Sequence, residues 1–427
     1  MSIYVVSSDA TNGYINISLY ICLLSLRVHS GYDRYMSAVL SSQKHPKVFF
    51  ANLDGLRFFA FLVVFVSHAA LFLGYEENNA LYLKIKKYVL INGDIGVSFF
   101  FVLSGFLISY LLFTEQDHFG KINLWKFYKR RILRIWPVYF ITLITGFFIL
   151  PPILHFLLGS FGLPYPVLPH LPSLPSFLVF LGNFTLAFHG TSGRTLDVLW
   201  SISVEEQFYL VWPWVVSFLP RTYIPYSLGL VITLSCLYRL HYAGSPEVLG
   251  VSTFSVMSDL AIGCLLAWAL YYKKGVIALL HRIPKPGVAL LYLLTATVII
   301  GRHYLTYVSV ENVLVRNLSA VFVPLVLAIL FALIIFEQNE SIQSFFKAKE
   351  LKLFSFLGTI SYGFYAYHMI AMSLVIATLF KLGVELTYES IPHFIVVIIL
   401  SFALSFGMAY LSYRYIEKWF LKRKVSV

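Results

Sequence analysis

The chain has 427 residues, 59% of them apolar, 18% aromatic and only 12% charged, with a mean hydropathy of +0.78. A soluble globular protein carries roughly 25% charged residues, so a soluble enzyme, a disordered chain and a disulfide-stapled secreted domain are all excluded. A polytopic membrane protein remains, and its +12 formal charge then has to be explained by where the basic residues sit.

In chain order, residues 14–28 are apolar but interrupted by Asn16, Ser18 and Ser25, with no positive segment before them. They make neither a convincing span nor a signal peptide. Residues 1–51 are therefore read as an N-terminal extension or cytosolic leader. A second start at Met36, ahead of the basic SSQKHPK stretch, would make a conventional one. A membrane helix needs about 20 apolar residues. Runs of that kind occur at 57–74, 95–113, 132–150, 199–219, 226–242, 254–272, 287–303, 318–336, 355–380 and 391–413. The run 176–189 is shorter and contains Gly182, Asn183 and Thr185. If it is left out and the first span starts in the cytosol, the inside loops and tail hold nineteen Lys and Arg against seven outside. Counting it as a span would put the 273–286 and 347–352 clusters outside, against the positive-inside tendency. The expectation is an all-α bundle of about ten transmembrane helices with both termini cytosolic. Residues 176–189 then form a partly buried or re-entrant piece, and residues 421–427 a basic cytosolic tail. The same distribution explains the net charge without nucleic acid as a partner.

Residues 151–176 contain seven prolines and almost no charge, which predicts an irregular segment folded onto the outer side of the bundle as a cover. Cys22, Cys236 and Cys264 lie in separate apolar segments without metal-type spacing, so no metal site is read from them. No internal repeat is visible, and no soluble domain is expected after residue 413.

Ionisable side chains inside a membrane cost at least ~2.5 kcal/mol at a helix centre and so need a reason. Arg57 and His68 are eleven residues apart in the first span, three turns plus ~20°, so they share one helix face with ~16 Å between them along the axis. The face offers a cation near the cytosol and an imidazole beyond mid-membrane. The plainer alternative is a snorkelling arginine and a packed histidine. In the second span, Gly96, Ser104 and Gly105 permit close helix approach, and packing outweighs a nucleophilic role for Ser104. Arg130, Arg131 and Arg134 in KFYKRRILRIWPVYF enter the third span. Guanidinium groups suit phosphate, although such a cluster also anchors a span by charge alone. Glu205 and Glu206 in SVEEQFYLVWPW project about 100° apart, so one of them is expected to face the interior, where it can orient a histidine base. Asp259 and His368 are read as internally hydrogen-bonded residues without a direct chemical role.

Together these segments resemble the integral-membrane acyltransferase-3 family, the O-acetyltransferase-like proteins. LDGLR with His68 is similar to its opening, with the same R-x10-H spacing, and GVSFFFVLSGFLI is similar to its second-span signature. FYKRRILRIWPVY and LWSISVEEQFYLVWP resemble its third- and fourth-span blocks, and SDLAIGCLLA, LGTISYGFYAYHMI and SYRYIEKWF its looser later patterns. Tyr367 stands where Trp is common before His368, and Lys418-Trp419 replaces a frequent Arg-Pro. The likeness covers residues 52–420 as one transmembrane domain. It implies transfer of an acyl group, usually acetyl, from cytosolic acyl-CoA to a hydroxyl of a carbohydrate or lipid-linked glycan. The setting expected is the inner cell membrane, with the bilayer and a glycan or glycolipid acceptor as partners. On this reading Arg57, Arg130, Arg131 and Arg134 bind the phosphates of the acyl-CoA donor. His68 acts as base or as acyl carrier, and Glu205 or Glu206 steadies its imidazolium. A transporter of a lipid-linked sugar or hydrophobic acid is the competing class, against which stands the lack of an inverted repeat.

Overall fold

A computed structural model of the chain describes residues 50–72, 84–159, 174–190, 195–273, 275, 278, 281–384 and 391–425. The leader expected over residues 1–51 lies almost entirely outside these residues, as does most of the proline-rich segment. Among the described residues the chain is helical throughout, without a strand.

The first span is α1 (Ala51–Phe72), followed by a π turn at Lys86–Leu90 and α2 (Gly93–Phe119). Next comes α3 (Leu124–Ile144), which runs through a π turn at Thr145–Ile149 into α4 (Leu150–Leu158). Here the sequence-based expectation fails, because residues 151–158 are helical. Pro151 and Pro152 sit in the first turn of α4, where a missing N–H has no intrahelical acceptor to lose. Two short helices follow, α5 (Leu174–Leu178) and α6 (Gly182–His189). They are broken apart by Phe180, which has a positive φ of 57°.

After α7 (Trp200–Phe218) and α8 (Ile224–His241) come α9 (Pro246–Val251) and α10 (Thr253–Tyr272). The long pair α11 (Lys285–Ser309) and α12 (Val313–Glu340) leads to α13 (Lys352–Thr359) and α14 (Ser361–Lys381). The chain closes with α15 (Ile391–Ser412), a π turn at Tyr413–Glu417 and α16 (Lys418–Val425).

Eight helical stretches among the described residues are long and apolar enough to cross a membrane. The other two expected spans are present as the 19-residue α7 and the 18-residue α8, but their polar residues keep them below that apolarity. The 176–189 segment, with helices of 5 and 8 residues, is far too short to span. It packs on the bundle as expected. Tyr139 donates to the Phe177 carbonyl over 2.7 Å, and Gln207 donates to the Phe180 carbonyl and to Asn183 over 2.7 and 2.9 Å. Irregular backbone at membrane depth survives only when its polar groups are satisfied in this way. The expected 355–380 span is instead two helices, α13 and α14, meeting at Ile360. Gly358 lies against the Asp54 carbonyl so closely that a Cβ would stand 1.8 Å from the oxygen, which docks α13 across the start of α1.

The tightest crossing joins α2 and α10. A Cβ on Gly105 would meet the Leu260 carbonyl at 2.0 Å, and one on Gly263 would meet the Val102 carbonyl at 2.0 Å. Two backbones in contact through small residues are how helices associate in lipid, where no hydrophobic gradient drives them together. On the other side of α2, Gly96 sits against the Ala60 carbonyl of α1. Phe58, Phe61 and Phe65 of α1 interleave with Phe364 of α14 and Phe402 of α15. At the periphery only 11% of the apolar stretch of α11 is buried, and it exposes Leu290, Leu293 and Leu294, a row suited to lipid tails.

Candidate active site

The Arg57–His68 alignment read from the sequence is present on α1, with each residue in a different polar cluster. Arg57 forms an ion pair with Asp54 one turn earlier. His68, three turns further on, is partly exposed. Its Nδ1 lies 2.8 Å from Nε2 of His368 on α14. The imidazole planes are 17° apart and the ring centres 5.0 Å apart. With the nitrogens 2.8 Å apart, this leaves one ring radius on each side, so the rings meet edge to edge with both nitrogens on the line of centres. His368 is fully buried, and its Nδ1 lies 2.8 Å from the Tyr365 carbonyl. Phe61 and Phe65 flank it at 5.8 and 6.3 Å.

Three tyrosines pin α14 on three sides. Tyr362 donates to the Ile135 carbonyl of α3 over 2.8 Å. The Tyr365 hydroxyl lies 2.7 Å from that of Ser201 on α7, and the Tyr367 hydroxyl 3.1 Å from that of Ser412 on α15. His368 is therefore held in place by its helix as well as by its own contacts.

The two glutamates are placed differently from the expectation that one would face the interior. α7 lies between α2 and α3, so both carboxylates point at protein. Glu205 accepts from Ser104 over 2.6 Å, and the single O–H of Tyr209 lies 3.1 Å from both Glu205 and Ser104 and is shared between them. Glu206 accepts from the Trp136 indole over 2.9 Å, while its Oε1 is buried without a hydrogen bond among the described residues. Neither carboxylate hydrogen-bonds His68. The histidine's partner is His368, to which the sequence assigned no chemical role.

The three arginines of α3 have separate positions. Arg130 forms an ion pair with Glu115 at 2.8 Å, and the other oxygen of Glu115 accepts the Asn123 backbone N–H over 2.9 Å. Arg130 thus clamps the α2–α3 turn. Arg131 packs its guanidinium over Phe127 and Tyr209, 5.6 Å from each ring centre. Arg134 is exposed and makes no hydrogen bond or ion pair among the described residues. Its charge acts on Arg57 and on Glu417, while those of Arg131 and Arg57 act on Glu205. Arg57, Arg131 and Arg134 therefore converge at the end of the bundle where α1 and α3 begin. Like charges within each other's field repel, so the arrangement is suited to an anion. Asp259 is satisfied internally, accepting from Ser98 over 2.7 Å and Ser258 over 3.1 Å beside the buried Arg239.

Three features of the site carry no local signal in the sequence: the His68–His368 contact between residues 300 positions apart, the Tyr209 hydroxyl on Ser104 and Glu205, and the lack of a partner for Arg134 among the described residues beside a paired Arg130. Each depends on which helices are neighbours.

A family model described as an acyltransferase domain matches residues 50–410. The chain is 27% identical over 397 residues to the peptidoglycan O-acetyltransferase OatA of Listeria monocytogenes, an alignment that takes in 88% of this chain and 56% of that protein. It is 28% identical over 230 residues to the O-acetyltransferase OatA of Staphylococcus aureus, covering 51% of this chain and 34% of the other. The chain thus spans about half the length of one relative and a third of the other. No solved structure matches it.

Proposed function

Because this chain belongs to the acyltransferase-3 family, as a membrane-embedded acyltransferase, we propose that it moves an acetyl group from cytosolic acetyl-CoA to a carbohydrate hydroxyl at the outer face of the cell membrane. The observation that carries the reading is the division of α1: Arg57 in a cationic cluster at one end and His68, with its partner His368, three turns away. Both termini are taken as cytosolic on the distribution of Lys and Arg. Given the relatives' names, a glycan of the peptidoglycan type is the first acceptor to try.

On this reading the donor's phosphates lie against Arg57, Arg131 and Arg134, and the uncharged pantetheine arm runs along the Arg57–His68 face. That arrangement avoids burying charge without a partner. His68 takes the proton of the acceptor hydroxyl, the oxygen attacks the thioester carbonyl, and the C–S bond breaks. The same proton then returns to the leaving thiolate. Arg130 is left out of the donor site, since its ion pair with Glu115 already uses it.

The test uses full-length protein in vesicles, with radiolabelled acetyl-CoA inside and a peptidoglycan-derived oligosaccharide outside. Base-labile label should appear on the outer glycan with the wild type and not with His68→Ala. Equal transfer by a stably inserted His68→Ala protein would overturn the role of the histidine. Absence of transfer by wild type to any glycan hydroxyl would overturn the proposal.

A further inference from the structure

The hydrogen bonds around His368 determine which nitrogen of His68 can act. A peptide carbonyl offers only lone pairs, so the Nδ1 of His368, 2.8 Å from the Tyr365 oxygen, must carry a hydrogen. A neutral imidazole has one N–H, which leaves a lone pair on Nε2 of His368. That lone pair faces Nδ1 of His68 across 2.8 Å in an almost coplanar, edge-to-edge contact, so His68 must supply the hydrogen from Nδ1. Nε2 of His68 is then left unprotonated, and it makes no hydrogen bond among the described residues. The partly exposed ring therefore presents a basic nitrogen, while the ring behind it is sealed by Phe61 and Phe65.

We propose that His368 is the positioning residue of the reaction: the Tyr365 carbonyl and His368 together fix His68 as the Nδ1–H tautomer and make Nε2 of His68 the atom that accepts the substrate's proton. The tautomer follows from the contacts alone. Its use as a base rests on the acyl-transfer reading.

The arrangement serves both protonation states. When Nε2 of His68 takes the hydroxyl proton, the O–H bond breaks, an Nε2–H bond forms, and the ring becomes an imidazolium. Its Nδ1–H still donates to the same lone pair of His368, so no group has to reorient as the charge appears. The chain of hydrogen bonds ends at a carbonyl that cannot take up a proton. The proton on Nε2 therefore has one productive exit, to the thiolate sulfur released when the C–S bond breaks. In Ser-His-Asp triads the partner that holds the histidine is a carboxylate, and here a neutral imidazole occupies that place beside Phe61 and Phe65.

The proposal is tested on full-length protein labelled with 15N-histidine, using His68→Gln to assign the His68 signals. The expected spectrum has a protonated Nδ1 and an unprotonated Nε2 at His68. In His368→Leu the tautomer preference should be lost and kcat should fall by about 10²-fold or more, the range expected when a base is held in the wrong tautomer. KM for acetyl-CoA should change by less than about threefold, because the donor's phosphates bind elsewhere. His368→Gln can present its amide oxygen to Nδ1–H and should restore the tautomer and at least about tenfold of the lost kcat. A protonated Nε2 in the wild type, or wild-type kcat in the leucine variant, would overturn the proposal. A correct tautomer in a wild-type protein that transfers no acyl group would instead overturn the acyl-transfer reading and, with it, the use of Nε2 as a base.

Discussion

The Ser104 hydroxyl on α2 donates to Glu205 on α7 over 2.6 Å, and Tyr209, one turn further along α7, closes a triangle with its single O–H 3.1 Å from both residues. The triangle joins two helices that Trp212–Ser109 and Gln116–Val216 hydrogen bonds also connect, and it holds a carboxylate beside the tyrosine ring over which Arg131 packs. Glu205 acts here as a tie between helices and as a counter-charge to the arginines.

Ser104→Ala removes one donor from a buried carboxylate, which should cost about 1–3 kcal/mol. Glu205→Ala also removes the counter-charge of Arg131 and Arg57 and should be the more damaging of the two. The check is the melting temperature of each purified variant in detergent, read beside its transfer rate. If Ser104→Ala melts with the wild type yet abolishes transfer, the hydroxyl would have a chemical role instead of a structural one.

Arg130 and Arg134 lie on one face of α3 and should behave in opposite ways. Arg130→Ala leaves Glu115 buried without its cation and should destabilise the protein by roughly 1.5–3 kcal/mol, with KM for acetyl-CoA near the wild-type value. Arg134→Ala breaks no contact among the described residues and should leave the melting temperature unchanged. It should raise KM for acetyl-CoA by about tenfold, the equivalent of one lost charge-assisted contact to phosphate. Steady-state kinetics and thermal melts on the same two preparations decide it, and a reversed pattern would exchange their roles.

Gly105→Ala places a methyl group where the Leu260 carbonyl already stands 2.0 Å from the ideal Cβ position. The α2–α10 crossing has to open, and the loss should exceed about 2 kcal/mol, well beyond an ordinary surface change. Gly229→Ala in α8 meets nothing within 4 Å and should be neutral or slightly stabilising, since alanine is the better helix former by up to ~1 kcal/mol. Expression level and melting temperature of the two variants provide the comparison.

The membrane spans were legible from apolarity because every helix must satisfy its own backbone in lipid. Pro151 and Pro152 misled because a proline count does not distinguish a helix interior from its first turn. The break at Ile360 was hidden because apolarity continues unchanged across it, and only the approach of Gly358 to Asp54 reveals why the chain turns there. Within the site, Arg57 and His68 could be related because both lie on one helix, where 3.6 residues per turn settles their faces. His68 and His368 could not, since nothing near either residue states that α14 packs on α1. For the same reason the sequence treated Arg130 and Arg134 alike and turned only one of the two glutamates inward.

The eleven-residue interval on α1 also acts as a ruler. An anion held at Arg57 and a carbonyl carbon at His68 are separated by about 16 Å along the helix. A small activated donor such as an acyl phosphate, whose charge and acyl group share an oxygen, can occupy one of these positions but never both. A donor that carries its phosphates and its thioester at opposite ends of a long neutral arm can occupy the two together. On the proposed acyl-CoA reading the first span would select by length, refusing short acyl donors without a single residue shaped to recognise the acyl group itself.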